Sequence, residues 1–305
     1  MKSMGDFYGL PTRSISSPHL RLEFLAQAGP RIVRLFLAGS DENQLVELPE
    51  LKWETPLGNF CVHGGHRLWH APEATPRTYV PDNEGLVVEE IEDGVRLCRP
   101  TEAATGIRKR LEIRLLADRP ALTLHHELQN DGLWPVELAP WAITQLPLGG
   151  VIVLPQQVGP LDAHGLLPNR HLVLWPYTRW DDTRLQTHDD YVLVQARAQP
   201  FPFKLGYLNR HGWAGYLRRD VFFCKRFELQ TDQLYPDGGC NVETYCYNEF
   251  VELETLAPLR RLEPCQSVTH VETWEFYSGV DASPDLEGVR NLAGALGLDE
   301  VTPDG

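Results

Sequence analysis

The stretch Ile107–Leu116, "IRKRLEIRLL", decides the fold class. Ile107, Lys109, Leu111, Ile113 and Leu115 alternate with Arg108, Arg110, Glu112 and Arg114. A period of two sends alternate side chains to opposite faces, the pattern of a half-buried strand rather than a helix. The same signal recurs on either side. "LVVEEIEDGVRLCRP" predicts a hairpin turning at Asp93-Gly94, because both residues tolerate positive φ. "FKLGYLNRHGWAGYLRRDVFFCKRFEL" predicts three strands with turns near Asn209–Gly212 and Arg219-Asp220. "RIVRLFL", "ALTLHHEL", "VIVL", "YVLVQAR", "NEFVELE" and "SVTHVETWEFY" bring the total to more than a dozen. Helical period is confined to the C-terminal "SPDLEGVRNLAGALGLD". There Ser283 is the expected N-cap, Pro284 suits the first helical position, and Asp285 and Glu287 favour the positive end of the dipole. Leu286, Val289, Leu292 and Leu296 form the expected apolar face.

The totals fit one large all-β domain of the sandwich type over residues 1–305, with 42% hydrophobic residues to fill its core. A formal charge of −14 repels phosphate backbones and anionic lipid, so neither nucleic acid nor a membrane surface is an expected partner. No run approaches the about 18 apolar residues of a membrane helix. "MKSMGDFYGL" lacks the apolar core of a secretory signal, and none of the six cysteines forms a CxxC pair. Free, buried thiols in a cytoplasmic protein are therefore expected. Pro155, Pro160, Pro168 and Pro176 mark 155–190 as a long excursion, a kind of loop that often covers a site.

Chemistry concentrates in His63–Glu73, "HGGHRLWHAPE". His63, His66 and His70 are spaced three and four apart, which on a helix would bring them together around a metal. Gly64-Gly65 and Pro72 leave room for only a short helix. A second reading is structural: a sharp glycine turn followed by a core tryptophan. A third is a sugar site. Sugars present hydroxyls at the rim and a slightly apolar ring face, which suits His66, Arg67, His70 and Glu73 beside a tryptophan platform. Trp134, Trp141, Trp175, Trp180 and Trp213 supply further candidate platforms.

Glu252 and Glu254 alternate with apolar residues and read either as a solvated strand face or as a functional pair on one face. His125 and His126 read as strand residues, at least one of them pointing outward. Asp181-Asp182 and Asp189-Asp190 read as solvated loop charges, and Lys204 as a residue that points inward to a cleft or lies at an edge, the edge being favoured.

Taken together, these residues resemble the galactose mutarotase-like superfamily, the aldose 1-epimerases and their relatives. The resemblance is closest to the uncharacterised bacterial branch described as domain of unknown function 4380, which has a similar "GGHRLWxAPE" run. Residues 59–69, "NFCVHGGHRLW", resemble the "N…HGG…G" segment of aldose 1-epimerases. Residues 128–146, "LQNDGLWPVELAPWAITQL", resemble a central family strand, and 250–258, "FVELETLAP", the late "LEPQxxP" segment. The resemblance implies a β-supersandwich with an open cleft for a small carbohydrate. It implies catalytic roles for His63, the first family histidine, and Glu254, the general base. Substrate contacts are expected from His66, Arg67, His70, Glu73, Trp141, Gln145, Asp237 and Glu252, with no cofactor and no metal, in a monomer or homodimer. In the family's reaction a base takes the anomeric proton while an acid protonates the ring oxygen; the ring opens, C1 rotates and the ring closes. The ring oxygen is a poor leaving group until protonated, and a histidine can do this near neutral pH. Here the second family histidine falls at Trp141, and an indole does not transfer protons. Three alternatives follow. One of His63, His66 and His70 takes over as acid; the protein binds a sugar without turning it over; or the histidine run supports a metal-assisted enzyme.

Overall fold

The computed structural model describes residues 4–298. Nearly all of its regular structure is antiparallel strand, arranged as two large sheets and a separate hairpin. The first sheet runs from the meander Met4–Phe7, Leu10–Ser16, Leu20–Leu25 and Arg31–Leu37 into His66–Ala71, Val136–Pro147, Phe250–Leu256, Val242–Cys246, Phe203–Tyr207 and Val173–Leu174. The second holds Ile107–Leu115 paired with Ala121–Asn130, which in turn pairs with Ser267–Ser278. The largest hydrophobic cluster, including Leu22, Leu111, Leu124, Leu253 and Trp274, draws on both sheets.

Ile107–Leu115 keeps its predicted period without exception: every odd residue is buried, and every even one is half-exposed. Lys109 obeys the pattern because Glu102, itself buried, lies 2.8 Å from its ammonium. The outer arginines pair with neighbouring carboxylates, Arg110 with Glu127 and Arg114 with Glu112. His125 is exposed and its neighbour His126 buried, as alternation requires.

Two local expectations need correction. The hairpin turns at Glu92-Asp93, since Ile91 pairs with Gly94, and Asp93 alone of the pair expected there takes positive φ. Gly94 answers to a different need: a Cβ there would lie 1.9 Å from the Ile113 carbonyl oxygen. At the C-terminus the helix is Leu286–Ala295, and its N-cap is Asp285, whose carboxylate accepts from the Gly288 amide at 2.9 Å; Ser283 and Pro284 precede it. Val289 and Leu292 are buried against the second sheet, with Leu286 and Leu296 partly covered. Asp299, the last residue of the stretch read as helical, lies outside the described residues, as do Met1–Ser3 of the N-terminal stretch. No helix among the described residues is long and apolar enough to cross a membrane. All six cysteines are free: Cys224, Cys240 and Cys246 are buried, Cys61 and Cys98 half-buried, and Cys265 exposed.

Candidate functional site

The site is built on the face of the first sheet that points away from the intersheet core. In Phe250–Leu256 the residues Val251 and Leu253 enter that core, so Glu252 and Glu254 point the other way. Register then aligns the neighbours: Gln145 pairs with Glu252, Trp141 with Trp69, Glu243 with Glu254, and Tyr245 with both Glu252 and Lys204. The hairpin Glu47–Thr55 and Gly58–Gly64 covers part of this face. Trp53 stacks on Phe60 at 5.8 Å, and Trp69 meets Trp141 edge-on at 5.4 Å. Gly64-Gly65 links hairpin to sheet. Both glycines take positive φ, and a Cβ would lie 2.1 Å from the Val46 oxygen at the first and 1.9 Å from the Ile32 oxygen at the second. The two glycines are thus required by a tight backbone crossing.

Under this cover lies a pocket of about 220 Å³. Trp53, Trp69, Trp141 and Tyr177 contribute aromatic wall; Arg67, Lys204 and Glu252 form a charged floor, with Glu73 at the rim. The floor is tied together. Gln145 accepts from Arg67 Nη1 at 2.9 Å and donates from Nε2 to Glu252 Oε1 at 2.9 Å, while Arg67 Nη2 reaches the same Oε1 at 3.2 Å. The Arg67 guanidinium lies 4.4 Å from the Trp69 ring centroid. Burial, together with the nearby Glu254 charge, pushes the Glu252 carboxyl up to about 7 against the pull of Arg67.

Glu254 lies deeper. It has no exposed surface, and its Oε2 accepts from Trp141 Nε1 at 2.7 Å and from Lys204 Nζ at 3.0 Å. Lys204 also contacts Glu243 at 2.8 Å and lies over the rings of Trp141 and Trp175 at 4.5 and 4.7 Å. Of the two readings left open by its flanking Phe203 and Leu205, the inward one holds: Lys204 is an interior cation, not the favoured edge residue. Trp175 and Tyr177 come from the 155–190 excursion, which does reach the site. Burial works against the Lys204 charge, but Glu243 and Glu254 outweigh it and hold the ammonium well above its ordinary range.

The structure brings together Arg67, Glu73, Trp141 and Glu252 around the pocket, with Gln145 and Glu254 beneath it. It disperses the histidines. His63, at positive φ, packs edge-on against Phe7 at 6.2 Å, and burial and Arg31 lower it to about 4. His66 and His70 lie on the opposite face of their strand from Arg67 and Trp69, about 13 Å apart by strand rise. The three therefore form no common metal site, because the run is a strand crossing rather than a helix. Asp237 sits in the Pro236–Gly239 turn with φ of 51° and does not line the pocket. Glu252 and Glu254 are no solvated face; both are buried. Trp134 and Trp180 are exposed, and Trp213 belongs to the core. Asp181, Asp182, Asp189 and Asp190 all pair with arginines.

A metal-ligand geometry does occur elsewhere. Ligand atoms of His66, His126 and Glu272, buried between the sheets, lie within 4.8 Å of one another. Direct hydrogen bonds account for them. His126 Nδ1 lies 3.1 Å from the His270 carbonyl oxygen, which only accepts, so Nδ1 carries the proton and Nε2 is a lone pair. His66 Nε2, 2.8 Å from that lone pair, must then donate, and its Nδ1 accepts from Thr144. Lys225, at 2.9 Å, balances the Glu272 charge, and Trp274 donates to it at 2.8 Å. Burial keeps the rings neutral, lowering His126 to about 4 and His270 to about 3.

The backbone superposes on solved structures over most of the chain. A galactose mutarotase-like protein from Clostridium acetobutylicum superposes with a TM-score of 0.55 at 11% identity, covering 91% of this chain and 98% of that one. The chain has the galactose mutarotase-like fold. A galactose mutarotase-like protein from Lactobacillus casei agrees at a TM-score of 0.53 and 9% identity, over 87% of this chain and 100% of the other. A TPR-domain containing protein from Parabacteroides distasonis gives 0.63 at 13% identity over 90% of this chain; it spans only 48% of that protein. No family model matches the sequence, and no curated protein matches it. At these identities the mutarotase-like fold is what is shared, and function has to be argued from the pocket.

Proposed function

We propose that this protein binds a neutral monosaccharide in the Trp69–Trp141 pocket and interconverts its anomers, as an aldose 1-epimerase-like isomerase. The observation that carries this reading is the union, in one pocket of about 220 Å³, of indole walls with a carboxyl, guanidinium and amide floor. Indole faces suit the apolar face of a pyranose, and the floor suits its hydroxyls. The volume falls below the about 300–1,000 Å³ of sites for drug-sized ligands, which favours one ring over an extended chain. Arg67 is already committed to Glu252, and Lys204 to Glu243 and Glu254. Neither is spare for a phosphate or sugar acid, which argues for a neutral substrate. We place the protein in the cytoplasm, as a monomer or homodimer, and in the domain of unknown function 4380 branch as part of the same proposal.

Polarimetry on freshly dissolved α-glucose and α-galactose tests the activity. Faster approach to equilibrium than in buffer is expected, with quenching of tryptophan fluorescence on binding. Binding without acceleration would instead establish a carbohydrate-binding protein. That second reading is favoured by one observation: the indole of Trp141, at the place of the ring-oxygen histidine, is bonded to Glu254.

A further inference from the structure

We propose that Glu252 is the proton donor of this pocket, protonating the ring oxygen of the bound sugar while Glu73 takes the proton of the anomeric hydroxyl. The assignment rests on the anomer-interconverting reading above, and it departs from the Glu254 and His63 pair that the sequence suggests.

Elimination leads there first. Among the described residues, no histidine lines the pocket. Arg67 does not give up its proton at neutral pH, and Lys204, between two carboxylates, holds its own more tightly than usual. Burial pushes the phenols of Tyr177 and Tyr245 upward, away from neutrality. Glu254 is sealed under Trp141 and Lys204. Glu252 and Glu73 are the carboxyls that remain at the pocket surface.

Their surroundings then divide the roles. Glu252 is in the floor, with Oε1 held by Arg67 and Gln145, so Oε2 carries the proton toward the ligand. Its titration near 7 gives substantial acid form at cellular pH. Glu73 is at the rim and accepts from the Tyr79 hydroxyl; burial, with the Glu254 and Asp237 charges, raises its carboxyl against the pull of Lys204 and Arg67, which makes its ionised form a stronger base than a free carboxylate. In the step, Glu73 removes the O1 proton and the freed pair makes the C1–O1 π bond. The C1–O5 bond breaks onto the ring oxygen, which takes the Glu252 proton. After rotation at C1, the ring oxygen attacks, its proton returns to Glu252, and O1 recovers the proton from Glu73. No co-reactant is consumed.

The groups facing Glu252 are Arg67, Gln145, Tyr245, Lys204 and Glu254, with Glu73 across the mouth. A required acid form makes the rate fall as pH rises through about 7. The test is polarimetry across pH 5–9 on galactose and glucose, with binding followed by tryptophan fluorescence. Glu252→Gln is expected to cut the rate about 100-fold or more and to abolish the high-pH fall, with affinity within about tenfold of the parent. Glu254→Gln should keep the fall but move it to lower pH, because the Glu254 charge raises Glu252. Glu252→Asp keeps a carboxyl and should retain activity with a displaced fall; an unmoved fall overturns the assignment and serves if the Gln variant does not fold. More than a tenth of the parent rate in Glu252→Gln, or a dead Glu254→Gln that still binds sugar, also overturns it while leaving the epimerase reading intact. A parent protein that binds but does not accelerate mutarotation overturns that reading, and this assignment with it.

Discussion

Two buried carboxylates depend on Lys204. It contacts Glu243 at 2.8 Å and Glu254 at 3.0 Å, and all three side chains are nearly without exposure. Lys204→Met keeps the length of the side chain and removes the cation, leaving both acids uncompensated. A loss of about 3–5 kcal/mol is expected in urea unfolding, the usual cost of breaking a buried pair from one side. A loss below about 1 kcal/mol would show that the acids are neutral without it. The position of Lys204 between Phe203 and Leu205 in the sequence says only that it faces away from theirs. Whether that face is solvent or interior depends on what covers it, here Trp141 and Trp175, which arrive from distant parts of the chain.

At the scale of the element, the run from His63 to Ala71 is a hairpin strand delivered into a sheet strand through two glycines. Gly65→Ala places a Cβ 1.9 Å from a backbone oxygen that cannot move without disturbing Ile32–Val33, and does so at positive φ. We expect a destabilisation of more than about 2 kcal/mol by urea denaturation, beyond the usual cost of alanine at a glycine site. The stretch Phe250–Leu256 makes a related point. Its alternation of acid with apolar residue correctly marks a strand, yet every residue in it is buried. The alternation separates two interiors of different polarity, the intersheet core and the pocket floor, rather than core from solvent.

For the whole molecule, buried ionisable groups set the response to acid. His63, His66, His70, His126 and His270 are all buried, and burial lowers each of them. Unfolded, they titrate near 6.5, so below that pH the unfolded chain binds more protons than the native one and stability falls. His63 and His126, held at about 4, each contribute up to about 1.4 kcal/mol per pH unit between about pH 6.5 and 4, and His66, His70 and His270 act in the same direction. Glu73, Asp237, Glu243 and Glu252 act oppositely: raised in the fold, they favour the native state at low pH and lose that contribution as pH rises through the folded value, about 7 for Glu252. Five histidines against four acids, with Glu47, Asp82 and Glu272 held low against burial by their cationic partners and lost as well on acidification, leave a net loss. Thermal unfolding should therefore show a falling Tm from pH 6.5 to 4.5; a flat or rising Tm would mean that the histidines are not buried as neutral rings.

Period-two patterning by itself determined the all-β class, because face alternation is a local property of extended backbone and each strand carries its own copy of it. Side-chain chemistry in the His63–Glu73 run, and the resemblance to the mutarotase-like superfamily, marked Arg67, Glu73, Trp141 and Glu252 as residues that could meet a sugar. Only the tertiary structure decided which of the singled-out residues share a space. His66 and His70 lie one position from Arg67 and Trp69 in sequence but on the far side of the sheet. Glu254 shares a face with Glu252, yet Trp141 and Lys204 cover it. Which face of a strand is floor, and how deep a residue lies on it, is settled by the neighbouring strands and the covering hairpin. Those contacts reach as far as 113 positions, Trp141 to Glu254, and 185 positions, Arg67 to Glu252, and no local pattern records them.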